Sequence, residues 1–326
     1  MEKSPNSSLI RRQYDLYHSR YAHQKEYLES ESVEENLGIV VTVPCFNEPK
    51  ILTTLESIYQ CYPTKFPVEI LILINHPEGS APEVISQNKK SVEEIKHWIK
   101  SHNESHRKFQ FIWAGDLPAR HAGVGLARKI VMDEAIRRLL RSGNLEGIVV
   151  GLDADTTCDQ NYLFEIEAYF QTHPETIGAN IYFEHPLKPD IEDNSNIGIA
   201  SYELHLRYMV HALRYSLFPY AFHTVGSCLA VRGSTYVKQG GMNRRKAGED
   251  FYFLQKIIPL GNFGEINTTK IIPSGRKSDR VPFGTGPSIN ALTQSNEEYQ
   301  TFNLQAFVDF KAFLEIKDEL YSLDAS

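Results

Sequence analysis

The sequence predicts an α/β fold in which a doubly wound, mostly parallel sheet is flanked by helices and carries a smaller extension. Three observations point there. Short runs such as Gly38-IVVTV-Pro44, Val68 to Ile74 and Ile148 to Leu152 have strand length and almost no polar residues, as strands buried on both faces do. Stretches with apolar residues at helical spacing separate them. Strand and helix in regular alternation imply crossover connections, and a sheet built that way binds ligands outside the carboxyl ends of its strands.

The elements follow in order. Ile10, Tyr14, Tyr17, Tyr21 and Leu28 recur at helical spacing and predict an amphipathic helix from Leu9 to Leu28, packed on the main body. After the first strand comes the sharp loop CFNEP, and Pro49 suits the first turn of a helix whose inward stripe is Leu52, Leu55, Tyr59 and Tyr62. The strand from Val68 ends in the Pro- and Gly-rich loop 75–80. Residues 88–102 read as an exposed helix and Phe109 to Ala114 as a third strand. Ala127, Val131, Ala135 and Leu139 form the buried stripe of a long helix. Further on, helices over Tyr162 to Thr172 and Asn196 to Leu217 and a strand over Ile177 to Phe183 are expected. Gly226 to Gly241 alternates like a strand and closes in a glycine turn. A helix opens at Gly248-Glu249-Asp250, and Phe302 to Leu323 form a helix with Phe307, Phe310 and Leu314 inward.

Bulk properties narrow the function. With 34 Lys and Arg against 41 Asp and Glu, the net charge of -7 argues against a general nucleic-acid binder, which needs a basic surface to release counterions. The four cysteines Cys45, Cys61, Cys158 and Cys228 lack metal or disulfide-framework spacing, so reduced thiols in a cytoplasmic protein are expected. The N-terminus has no secretory apolar core and no segment approaches a membrane span, although peripheral membrane contact stays open.

Two acidic pairs carry the chemistry. The strand IVVGL runs into Asp153 and Asp155, and side chains two apart on an extended strand share a face. Both carboxylates can then reach one divalent cation bridging nucleotide phosphates. A D-x-D triplet alone says little; its place at a strand end gives it weight. The second pair, Glu249-Asp250, stands at a helix N-terminus, where the dipole favours ionised carboxylate. Such a group can take the proton of an attacking hydroxyl. In isolation the pair reads equally well as a helix cap.

Taken together, a strand ending in P-C-F-N-E-P, a D-A-D strand end, a G-S-x-x-A-V-R segment, G-G and then G-E-D resemble glycosyltransferase family 2 of the GT-A fold, over residues 38–260. The resemblance implies an inverting transfer of sugar from a nucleotide-diphosphate donor, with Mg²⁺ or Mn²⁺, to a hydroxyl of a glycan or lipid-linked acceptor. It implies that Pro44, Asn47 and Glu48 line the nucleoside pocket, that Asp153 and Asp155 hold diphosphate and metal, that Asp250 is the base and that Glu249 orients acceptor or base. The matching domain layout is a helical arm over 1–36 packed on the core, a GT-A catalytic domain over 37–270, and a lid loop and helix over 271–326, with a smaller acceptor-side extension and acceptor choice placed in the irregular region 184–222.

Several residues depart from the family pattern or extend it. Asn75 stands where an acidic residue commonly contacts the nucleobase. The Q-x-x-R-W signature of processive synthases is absent, so transfer of a single sugar is expected. No histidine follows His223 to complete a metal shell. Arg276, Lys277 and Arg280 lie in a glycine-containing segment, 274–286, that reads as a lid clamping phosphate or as a solvated basic loop. Arg128 and Lys129, following AGVGLA, are further donor-facing candidates. His121, His211 and His223, and the aromatics Tyr202, Tyr208, Tyr215, Phe218, Tyr220 and Phe222, are candidates for an acceptor site or for packing. Two rivals remain: a sugar nucleotidyltransferase, whose G-x-G-T-R-L loop is missing, and a non-catalytic nucleotide- or sugar-binding protein of the same fold.

Overall fold

A computed structural model describes residues 5–187, 194–276, 300–317 and 319. The first strands and helices are β1 (Ile39–Cys45), α2 (Ile51–Tyr59), β2 (Val68–Pro77), α3 (Pro82–His102), β3 (Arg107–Leu117), α4 (Val124–Arg141) and β4 (Ile148–Gly151), preceded by α1 (Pro5–Arg20). They realise the expected alternation. β2, β1 and β4 are buried at nearly every position, which is why their sequences are apolar runs with no alternation.

The second half continues with β5 (Thr157–Cys158), α5 (Tyr162–Thr172), β6 (Gly178–Phe183), α6 (Asn194–Tyr215), β7 (Leu229–Arg232), α7 (Gly233–Lys238), α8 (Glu249–Ile257), β8 (Phe263–Ile272) and α9 (Leu304–Glu315). Among the described residues one sheet runs in the order β3-β2-β1-β4-β7-β6-β8-β5. Pairing is parallel from β3 through β4 and between β6 and β8, and antiparallel where β7 joins β4 and β6 and where β5 meets β8. Because β1 lies between β2 and β4, the loops after these strands open at the same sheet edge.

Several expectations need correction. α1 ends at Arg20 rather than Leu28, and residues 21–35 run as an irregular arm over α4. The reason lies in α4, whose polar face is buried as well as its apolar one. Asp133 accepts from the hydroxyl of Tyr236 at 2.7 Å, from that of Tyr17 and from the His23 N–H, while Glu134 accepts from the Leu28 N–H at 3.0 Å. Arg138, 0 % exposed, donates to Glu69 at 2.7 Å and to the Glu31 carbonyl at 2.8 Å. Leu55 is buried in α2 as expected, but its companions are Ile51, Thr54 and Ile58 rather than Leu52 and Tyr59, and Tyr62 stays exposed beyond the helix end. α3 starts at Pro82, earlier than expected, and β3 is longer at both ends. Gly226 to Gly241 is a strand only in part: a 3-10 turn precedes β7, and its second half is α7, closed by Gly240 and Gly241 at positive φ.

By internal packing the chain divides into two units, residues 1–184 with 224–273 and residues 185–223 with 274–326. The first holds the sheet. In the second, Phe307 of α9 meets Tyr208 of α6 edge-on and Phe218 contacts Phe310, so part of the expected aromatic cluster is core of that unit. Tyr215 and Tyr220 are exposed. Among the described residues no helix is long and apolar enough to cross a membrane.

Candidate functional site

The site lies where β4 ends. The strand stops at Gly151, and Asp153 to Thr156 form a turn closed by the Thr156 N–H on the Asp153 carbonyl at 3.1 Å. Asp153 and Asp155 thus stand on a turn, not on extended strand as expected; both are half-exposed, whereas Ala154 between them and Leu152 and Thr156 on either side are buried. Gly151 is fixed by packing, since a Cβ there would come 2.4 Å from the Gly226 carbonyl oxygen.

The second acidic pair begins α8. Gly248, at φ 69 in the left-handed region, turns the chain into the helix, and Glu249 and Asp250 occupy its first turn. Asp250 is half-exposed; its two carboxylate oxygens accept from the Gly226 N–H at 2.9 Å and from the Phe251 N–H at 2.8 Å. Glu249 is 3 % exposed.

Arg128, from the first turns of α4, joins the two pairs. Its guanidinium donates to Asp153 at 2.5 Å, to Glu249 at 2.9 Å and to the Gly226 carbonyl at 3.2 Å. A Cβ on Gly226 would sit 2.7 Å from that guanidinium carbon, so glycine is required there too. Burial works against the charged form of Arg128, yet Asp153, Glu249 and Asp250 raise its pKa, so it stays cationic. Burial likewise pushes the Glu249 carboxyl up, against the pull of Arg128. One guanidinium therefore ties together β4's end, the 3-10 turn at Gly226 and the start of α8.

Not all expected donor-site residues face outward. Glu48 is 0 % exposed: its carboxylate accepts from the Lys50 N–H at 2.9 Å and its carbonyl from the Ser91 hydroxyl at 3.2 Å, so it braces the entry to α2 instead of lining an open pocket. Lys129 is buried under the N-terminal arm with its ammonium 3.1 Å from Asp133, which removes it as a donor-facing cation. Arg128 is equally withdrawn, held as a framework cation. Glu249, sealed against it, does not reach an acceptor in this conformation.

Pro44 and Asn47 remain half-exposed at the end of β1. Asn47, at φ 49, donates its N–H to Asn88 Oδ1 at 2.9 Å; the Asn88 amide donates to the Asn75 carbonyl at 2.8 Å, and the Asn75 amide to the Cys45 carbonyl at 3.1 Å. Asn75, 5 % exposed, thus helps stitch the β1 and β2 ends together. Asn88, in the middle of α3, escaped sequence reading because a buried polar residue in a helix leaves no pattern. Arg276, His211 and His223 belong to the second unit, while Lys277 and Arg280 lie outside the described residues. His121 is half-exposed before α4.

Asp153, Glu249 and Asp250 act on one guanidinium and Asp155 stands two residues beyond Asp153, so four carboxylates against one arginine leave the site formally anionic. An incoming diphosphate would meet repulsion unless a cation accompanied it. The donors offered are hard oxygens, which suit Mg²⁺ or Mn²⁺. No group of three or more His, Cys, Asp or Glu that could hold a metal occurs among the described residues, so a cation on Asp153 and Asp155 would keep much of its water. Elsewhere, a cavity of about 610 Å³ between α3 and β3 is lined by Lys96, His97, Phe109 and Phe111 among others, and by none of the four acids.

Neither the family models nor the curated proteins include a match to this chain. Among solved structures it is similar to TarS 1-349 of S. aureus in complex with UDP-GlcNAc, at 14 % identity and TM-score 0.49 over 89 % of this chain and 76 % of that one. For the complex of TarS 1-349 with UDP the figures are 14 % identity, TM-score 0.48, and 88 % and 73 % coverage. For S. aureus TarS the chain matches at 13 % identity and TM-score 0.47, covering 89 % of itself and 46 % of that chain. At these identities no residue role carries over.

Proposed function

We propose that the chain is an inverting glycosyltransferase that moves a single sugar from a nucleotide-diphosphate donor to an acceptor hydroxyl. One observation carries the reading: one carboxylate of each acidic pair, Asp153 and Glu249, is locked to a single buried arginine, while Asp153, Asp155 and Asp250 stay half-exposed. Such an arrangement separates two tasks within one small region.

Asp250 is the general base. Its oxygens accept from the Gly226 and Phe251 N–H groups, which hold the half-exposed carboxylate where an acceptor hydroxyl can reach it and give up its proton. Attack on the anomeric carbon from the side opposite the diphosphate inverts it. Asp153 and Asp155 would hold a hydrated Mg²⁺ or Mn²⁺; when bound, that ion supplies charge for the departing diphosphate. Pro44 and Asn47 form the nucleoside side of the site, with Asn75 behind them. Arg128 positions both acidic pairs, and Glu249 with it.

The test is a screen of nucleotide sugars for metal-dependent binding and donor hydrolysis. One donor should bind and turn over, and Asp250→Asn should lower transfer by about 10²- to 10⁴-fold, the range of a lost general base, with nucleotide affinity kept within about twofold. Retained turnover in Asp250→Asn would refute the base assignment. Binding without turnover of any donor would favour the non-catalytic rival, and formation of a nucleotide sugar from nucleoside triphosphate the nucleotidyltransferase.

A further inference from the structure

Two of the four thiols lie against each other. Cys61, in the bend that follows α2, and Cys158, in β5, place their sulfurs 3.7 Å apart; they are 5 % and 9 % exposed, and both are free. They stand 97 positions apart in the chain, so no spacing motif announces them and each reads in sequence as an isolated thiol. Two free thiols in contact are one two-electron oxidation away from a covalent link.

The surroundings hold the pair in register. The Ser57 hydroxyl of α2 accepts from the Cys158 N–H at 3.3 Å, the Tyr62 N–H donates to the Gln160 carbonyl at 2.7 Å, and the Thr54 hydroxyl donates to the Ala154 carbonyl at 2.8 Å. The end of α2 is thus fastened to the segment 154–160 on both sides of the sulfurs. The two thiols differ in reactivity. A hydrogen bond with Cys158 lowers the Cys61 pKa, against burial and with help from the Arg107 charge, whereas the same bond and burial raise that of Cys158. Burial also pushes up the thiols of Cys45, to about 12, and of Cys228, both 0 % exposed. The thiolate is the reactive form, so Cys61 is the first of the four to react.

We propose that Cys61 and Cys158 form an oxidative modification site, a dithiol that hydrogen peroxide closes to an intramolecular disulfide, clamping the end of α2 to the strand that follows the Asp153–Asp155 turn. Peroxide suits the site because a molecule little larger than water can reach sulfurs with so little surface. The Cys61 thiolate attacks one peroxide oxygen, the O–O bond breaks and hydroxide leaves, giving a Cys61 sulfenic acid. The Cys158 thiol then attacks the Cys61 sulfur: the S–S bond forms, the S–O bond breaks, and the hydroxyl departs with the Cys158 proton as water. Two thiols and one hydrogen peroxide thus give one disulfide and two waters, and the sulfurs close from 3.7 Å to about 2.0 Å. A reducing dithiol reverses the bond. The clamp stands independently of the transferase reading.

The test treats the full chain, reduced and then freed of reductant, with hydrogen peroxide, counts its thiols after denaturation and maps its peptides without reduction. Free thiols should fall from four to two, the map should show one peptide pair joined through Cys61 and Cys158, and dithiothreitol should restore all four. Because the bond closes a loop spanning 97 positions, the oxidised chain should unfold at a higher urea concentration than the reduced one, and the difference should vanish in dithiothreitol. In Cys158→Ser the reaction should stop at the Cys61 sulfenic acid, captured as a dimedone adduct; in Cys61→Ser no thiol beyond the substituted one should be lost. The map of the unaltered chain decides the matter even where a variant folds poorly. Retention of all four thiols, a link through Cys45 or Cys228, or disulfide-joined dimers overturns the site. Absence of the dimedone adduct in Cys158→Ser overturns Cys61 as the attacking thiol, and an oxidised chain that unfolds at equal or lower urea overturns the clamp.

Discussion

Arg128 holds the candidate site together from within. Its side chain is 6 % exposed and its three contacts lie in three separate segments, so its removal would leave Glu249, equally buried, as an uncompensated charge. Breaking a buried pair in this way costs about 3–5 kcal/mol. Arg128→Met should therefore destabilise the protein by that order in chemical denaturation, and adding Glu249→Gln should restore part of the loss; independent, additive costs would speak against the shared framework. The two acidic pairs were legible in sequence because their local contexts, a strand end and a glycine before a helical run, are short-range patterns. The bridge between them was not. In sequence Arg128 is only a cation near a glycine turn, because pairing across 25 and 121 positions leaves no local trace. Glu48 misled for the opposite reason: a loop carboxylate reads as exposed, whereas here it satisfies the backbone of its own turn.

At the scale of elements, helical and strand periodicity identified most of the sheet but failed where polar contacts override it. The start of α1 was visible and its end was not, because the arm beyond Arg20 is held by Asp133, Glu134, Arg137 and Arg138 of α4 rather than by an apolar stripe. Gly233 to Lys238 alternates like a strand and is helix, and β8 carries no apolar run or regular alternation because Glu265, Asn267, Thr268, Thr269 and Lys270 interrupt it. In the second unit, α6 begins near a smaller polar cluster. Glu203 accepts from the His185 N–H and ring, both at 2.9 Å, and from Arg207 at 2.5 Å. Burial alone would raise its pKa, but these donors outweigh it and hold the carboxyl at about 2. A depressed carboxylate contributes stability above its unfolded value, about 4.3, and loses it as pH falls toward the folded one. The unfolding midpoint of the unaltered chain should accordingly drop more steeply between about pH 4.5 and 2 than that of Glu203→Gln; superimposable acid limbs would show that the cluster contributes nothing.

For the molecule as a whole, the sheet order brings the ends of β1, β2 and β4 to one edge, and that topology followed from the alternation of strands and helices. The arm over α4 is a structural part of this unit, since it supplies partners to carboxylates that are 1 % exposed. Deleting residues 1–36 should lower stability by several kcal/mol or prevent folding, because Asp133 and Glu134 would lose Tyr17, His23 and Leu28 together. A truncated chain within about 1 kcal/mol of the full one in chemical denaturation would show that the arm is dispensable.

The central claim is a division of labour between the two acidic pairs. Calorimetric affinity for a nucleoside diphosphate in the presence of Mn²⁺, compared between Asp153→Asn and Asp250→Asn, tests it most directly. The account predicts a loss of about tenfold or more in Asp153→Asn, on the scale of one charge-assisted contact, and a change within twofold in Asp250→Asn. Equal losses in both variants, or no loss in either, would contradict it.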